Sequence, residues 1–99
     1  MRYVIATYRL RPEKLEEANA AIQAYTDYVQ KAEPGTVGYQ CLQREDDPTR
    51  FVHLMSFPHE EAEIIHATSP VLKMFSEKLL PYCIEGPNYE SLRRVGPAG

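Results

Sequence analysis

Apolar positions along this chain alternate between a period of two and a period near three and a half. From Tyr3 to Leu10, Tyr3, Ile5, Thr7 and Arg9 interleave with Val4, Ala6, Tyr8 and Leu10. That alternation predicts a strand, and apolar or aromatic groups on both sides predict cover, at least partial, on both faces. Pro12 opens a long helix in which Leu15, Ala18, Ile22, Tyr25, Val29 and Ala32 form one apolar stripe, and Pro34-Gly35 ends it. Thr36 to Gln43 reads as a second strand, residues 45–49 as a turn cluster, and Arg50 to Phe57 as a third strand, so that strands two and three pair as an antiparallel hairpin. Phe51, His53, Met55 and Phe57 share one face of that third strand.

Pro58 stops the strand and suits the first turn of a second helix over about 58–67, where Glu60 and Glu61 complement the helix dipole. Ser69-Pro70 starts a third helix whose face carries Val71, Leu72, Phe75, Leu79 and Tyr82, and Pro81 ends it. Pro87 closes a loop before a last strand over Asn88–Val95, and residues 96–99 are expected to be a disordered tail. The order is β-α-β-β-α(α)-β, the ferredoxin-like α+β fold with a four-stranded antiparallel sheet and helices on one face. The strands carry apolar groups on both faces, and a broad apolar sheet face does not stay in water. A second copy of the chain pressed sheet to sheet is the economical cover, which predicts a homodimer.

Ninety-nine residues make a single domain, placed over residues 1–95. The formal charge of −3 argues against a nucleic-acid or anionic-membrane partner. No apolar run is long enough to span a bilayer, and MRYVIATYRL reads as a strand, not a leader. Cys41 and Cys83 have no zinc or C-x-x-C spacing, which fits two reduced thiols in a cytoplasmic protein; a disulfide remains open if the fold brings them together.

The segments PGTVGYQCLQREDDPTRFVHLMSF, EEAEIIH, HATSPVLKMFSEKLLPY and PNYESLRRV, in this order and spacing, resemble the antibiotic biosynthesis monooxygenase family over about residues 1–95. The resemblance implies a dimeric α+β barrel with a pocket between each sheet and its own helices. It implies oxidation of a quinol or polyphenolic aromatic by molecular oxygen, often with no metal, flavin or other cofactor. Family strands of this type often carry a Glu where this chain has Met55 and a Trp where it has Phe57. The haem-degrading branch uses an Asn, that Trp and a helix His; the corresponding positions are Thr7 or Ala6, Phe57 and His66, of which only His66 matches.

His66, on the last turn of the second helix, is the candidate catalytic base, because an imidazole accepts a phenolic proton near neutral pH. The alternative is a partly exposed helix histidine bonded to a neighbour. Tyr25, Met55, Phe57, Phe75 and His53 are the candidate substrate-binding residues; for His53 a satisfied position in the dimer interface is the preferred reading and the pocket wall the alternative. Met74 is read with Phe75 as pocket wall or core. His59 is expected to face solvent at the start of the second helix. His59 and His66 lie two helical turns, about 10 Å, apart, and no i,i+4 histidine pair exists, so no metal site is expected. Asp46 and Asp47 read as turn formers. The functional expectation is a cofactor-independent monooxygenase. The alternative is a small-molecule-binding or stress-response dimer without chemistry, with haem binding or degradation as a third reading.

Overall fold

The computed structural model describes residues 1–97. The expected tail over 96–99 falls partly outside them; Gly96 and Pro97 form a bend. Four strands, β1 (Arg2–Leu10), β2 (Gly38–Gln43), β3 (Arg50–Phe57) and β4 (Cys83–Leu92), make one antiparallel sheet in the order β2-β3-β1-β4. Helices α1 (Leu15–Ala32), α2 (Glu60–Ala67) and α3 (Pro70–Leu79) cover one of its faces. This is the ferredoxin-like α+β arrangement.

Local chemistry accounts for each join. Pro12–Lys14 forms a 3₁₀ turn ahead of α1, so the α-helix begins later than the proline suggested. The stripe Ala18, Ala21, Ile22, Tyr25 and Val29 is buried, while the opposite side of α1 is wet. The hairpin between β2 and β3 closes on Asp47, whose carboxylate accepts from the backbone N–H and the hydroxyl of Thr49 at 3.1 and 2.6 Å. Asp46 pairs with Arg44, so both aspartates build the turn. His59 is exposed but not idle: its ring accepts from the Ala62 N–H at 3.2 Å and caps α2, which starts at Glu60 rather than 58. The Ser69 hydroxyl caps α3 by accepting from the N–H groups of Val71 and Leu72.

The last strand differs most from the sequence expectation. It begins at Cys83 and ends at Leu92, instead of running from Asn88 to Val95. Gly86 and Pro87, read as loop residues, sit inside it at a register shift opposite Thr7–Arg9. Gly86 has φ +77°, and a Cβ there would stand 2.7 Å from the Thr7 carbonyl oxygen, so only glycine fits the bulge. An edge position tolerates the proline that follows.

The buried face of the sheet is the alternation set Ala6, Tyr8 and Leu10 on β1 with Phe51, His53, Met55 and Phe57 on β3. One core cluster joins Tyr8, Leu10 and Phe51 to Ala18, Ile22 and Leu79; a second joins Ala6, Met55 and Phe57 to Ala62. Fully buried side chains such as Phe57, Leu10 and Val29 each contribute about 1.5–3 kcal/mol. Met74, by contrast, is 68% exposed, so it is neither core nor pocket wall. The other sheet face presents Ile5, Val52, Leu54, Leu42 and Leu92 half-buried or exposed.

Candidate active site

Between the buried sheet face and helices α2 and α3 lies a cavity of about 640 Å³, within the range of small-molecule sites. Its floor is Val4, Ala6 and Tyr8 of β1 with Tyr39, His53, Met55 and Phe57 of the hairpin; Leu72, Phe75 and Leu79 of α3 form the roof. Small Ala6 on the central strand leaves room above the sheet. A second hollow, about 780 Å³, runs between α1 and β2 along polar residues such as Gln23, Thr26 and Gln30; Glu33 and Tyr39 border it too.

His66 reaches the cavity from the last turn of α2 and is buried. Its ring packs against Phe57, Tyr39 and Tyr25 at centroid distances of 5.5, 5.8 and 6.4 Å. Its Nδ1 lies 2.7 Å from Oε1 of Glu33, a buried carboxylate that also accepts from the Thr36 hydroxyl at 3.0 Å. Two features bring Glu33 there. It caps the C-terminus of α1, its N–H bonded to the Val29 carbonyl. Gly35 then lets α2 come close, since a Cβ on it would meet the Ala62 Cβ at 3.0 Å. An ionised carboxylate only accepts, so a neutral His66 carries its proton on Nδ1 and leaves Nε2 as the base.

His53 is a different object. Its ring nitrogens meet two phenols, Tyr8 at Nε2 and Tyr39 at Nδ1, both at 2.6 Å. The Cys41 thiol stands 3.3 Å from Nε2. Register makes this cluster: Ala6 and Cys41 flank His53 on β1 and β2, which places Tyr8 and Tyr39 diagonally beside it on the same face. Burial, and secondarily the nearby His66, lower the His53 pKa to about 4. Burial likewise drives both phenols well above the usual tyrosine range and pushes the Cys41 thiol up to about 11, so that thiol is no nucleophile.

Five of the six sequence candidates border the cavity: His66, His53, Met55, Phe57 and Phe75. Tyr25 stands behind it, stacked on Phe75 with ring centroids 4.3 Å apart. Among the described residues its hydroxyl and Oε2 of Glu33 are buried without a hydrogen-bond partner, and burial followed by the Glu33 charge raises its pKa. The interface reading of His53 does not hold, because β3 turns it toward the helices, away from the open sheet face. Sequence reasoning missed Glu33, Tyr8 and Tyr39 as site residues. Tyr8 and Tyr39 carried a usable signal, their shared strand face with His53; Glu33 carried none, lying 33 residues from its partner. Among the described residues, no three His, Cys, Asp or Glu side chains gather as a metal site. Cys41 and Cys83 are free thiols, and no helix among the described residues is long and apolar enough to cross a membrane.

The sequence profile of the antibiotic biosynthesis monooxygenases matches residues 1–78. The chain belongs to that family. Solved structures extend the likeness through β4. A crystal structure of an antibiotic biosynthesis monooxygenase superposes with a TM-score of 0.89 at 19% identity, covering 97% of this chain and 100% of its own. A proposed family enzyme from Caulobacter crescentus CB15 gives 0.88 at 22% identity, over 96% of this chain and 90% of that one. One from Nitrosomonas europaea gives 0.88 at 20%, over 99% and 93%. At these identities the structural likeness speaks to the fold alone. No curated protein matches the chain.

Proposed function

We propose that this family member is a cofactor-independent monooxygenase that oxidises a quinol or polyphenolic aromatic with molecular oxygen, with His66 as general base. The observation that carries this reading is the buried His66–Glu33 pair on the wall of a mostly apolar cavity. Nε2 of His66 takes the hydroxyl proton of the bound quinol. The resulting anion is electron-rich at ring carbon and adds dioxygen there. The hydroperoxide loses water to leave a hydroxyquinone, so one oxygen atom enters the product and the other leaves as water. Glu33 holds the imidazole in the tautomer that exposes the basic nitrogen and steadies the imidazolium. Met55, Phe57 and Phe75 supply the flat apolar walls, with Tyr25 backing Phe75.

Oxygen uptake with a panel of hydroquinones tests the reading. Wild type is expected to exceed the autoxidation blank, and His66→Ala to lose at least about a hundredfold, the usual scale of general-base catalysis. His66→Gln keeps an N–H for Glu33 and guards against a folding failure. Uptake no faster than the blank, or undiminished in a folded His66→Gln, sinks the proposal. A fully exposed His66 bonded to water alone would have favoured the binding-module alternative; His66 is instead buried and paired with Glu33. The half-exposed Ile5, Val52, Leu54 and Leu92 support a second copy of the chain as the cover of the open sheet face. Sedimentation at micromolar concentration is expected to give twice the mass of one chain; a stable single-chain species overturns the dimer.

A further inference from the structure

The cavity wall holds a second polar device that the His66 chemistry does not use. Tyr8, His53 and Tyr39 are linked end to end at 2.6 Å per bond, and all three border the cavity. Among the described residues no carboxylate or cation touches the His53 ring; its polar partners there are two phenols and one thiol. The imidazole is therefore neutral at physiological pH, with one N–H and one bare nitrogen.

Counting protons fixes what such a chain does. It carries three: one on each phenol and one on the ring. Its two internal bonds use two of them. One end must therefore donate outward and the other accept. In the first arrangement the Tyr8 hydroxyl donates to Nε2, Nδ1–H donates to the Tyr39 oxygen, and the Tyr39 hydroxyl is free to donate. In the second, Tyr39 donates to Nδ1, Nε2–H donates to the Tyr8 oxygen, and the Tyr8 hydroxyl is free to donate at the cavity wall. The two differ only in the His53 tautomer, and no proton is gained or lost between them. The Tyr39 end is the one beside the base, its ring 5.8 Å from that of His66.

We propose that Tyr8, His53 and Tyr39 form a neutral hydrogen-bond chain of reversible polarity whose Tyr39 end holds one ligand oxygen, accepting from it as a hydroxyl and donating to it as a carbonyl. The inference deepens the quinol-oxidation reading and rests on it for the ligand class: a flat aromatic whose oxygen is a donor before oxidation and an acceptor after it. A fixed donor would suit only one of the two forms. Tyr39 is thus a binding residue, and Tyr8 and His53 are positioning residues that act through it.

The test is equilibrium binding without oxygen, so that it stands apart from turnover. A naphthoquinone methylated at both free positions of its quinone ring, to which thiols cannot add, and its quinol are titrated into wild type, Tyr39→Phe and, as a control at an exposed position, Tyr28→Phe. Both forms are expected to bind wild type with Kd values within about tenfold of each other. Tyr39→Phe is expected to weaken both about fivefold, the scale of one neutral hydrogen bond, and Tyr28→Phe neither. Nitrogen NMR of ring-labelled histidine is expected to show His53 protonated on Nε2 in the quinol complex and on Nδ1 in the quinone complex. Failure of either form to bind wild type, a loss under about twofold in a folded Tyr39→Phe, or the same His53 tautomer in both complexes overturns the inference. Normal binding and tautomer exchange with no oxygen uptake would instead overturn the monooxygenase reading and leave the chain standing as the ligand clamp.

Discussion

Two histidines on the walls of one cavity have opposite surroundings. His66 leans on Glu33, a charged group that only accepts, and so its proton has one place to be. His53 sits between two phenols that donate and accept alike, and so its proton has two. Both rings are almost fully buried, at 5% and 3% exposure, so burial does not distinguish them. The partner does. A carboxylate neighbour makes an imidazole a directed base, while phenol neighbours make it a neutral connector.

Acidification is expected to break the comparison most sharply. His53 has a folded-state pKa of about 4 against 6.5 in the unfolded chain. Above about pH 6.5 it is neutral in both states and its contribution is complete. As pH falls from 6.5 to about 4, the unfolded chain takes up a proton that the folded one refuses, and about 3 kcal/mol of stability drains away. Urea unfolding across this window is expected to show that slope in wild type and its loss in His53→Phe; an unchanged slope means that His53 is not the group that titrates. Next in size is Glu33→Gln. An amide donates as well as accepts, so His66 loses its fixed tautomer, and quinol oxidation is expected to drop roughly tenfold to hundredfold, part of what a general base supplies. A rate equal to wild type would make Glu33 structural only. Tyr8→Phe keeps the ring stacked on Phe51 but leaves Nε2 with the thiol alone; thermal unfolding is expected to report a loss of about 1–2 kcal/mol. Smallest is Thr36→Val, which removes one of two bonds to Oε1 of Glu33, costs about 0.5–1 kcal/mol in denaturant titrations, and leaves the oxidation rate within about twofold.

The sheet was legible because alternation survives from sequence to fold. The third strand runs from Arg50 to Phe57 as its pattern predicts, and the same alternation put His53, Met55 and Phe57 on one face. The last strand was not legible at its start, since Gly86-Pro87 carries the chemistry of a turn and acts here as a bulge inside a strand. His66 could be placed by its position at the end of α2. Its partner could not. Glu33 reads as a residue where a helix stops, and only the tertiary approach of α2 over Gly35 makes it the orienting group. Local periodicity reports which way a side chain points. It carries no record of which distant element will come to meet it.

The bulge at Gly86 also bears on edge-to-edge association of this sheet. β4 is a border of the sheet, and an uninterrupted border strand is a template on which further chains can add backbone to backbone. Here that row is kinked in mid-course, and Pro87 contributes no N–H to it. Runaway fibre growth needs two receptive borders per molecule, and among the described residues an uninterrupted one stands only at β2.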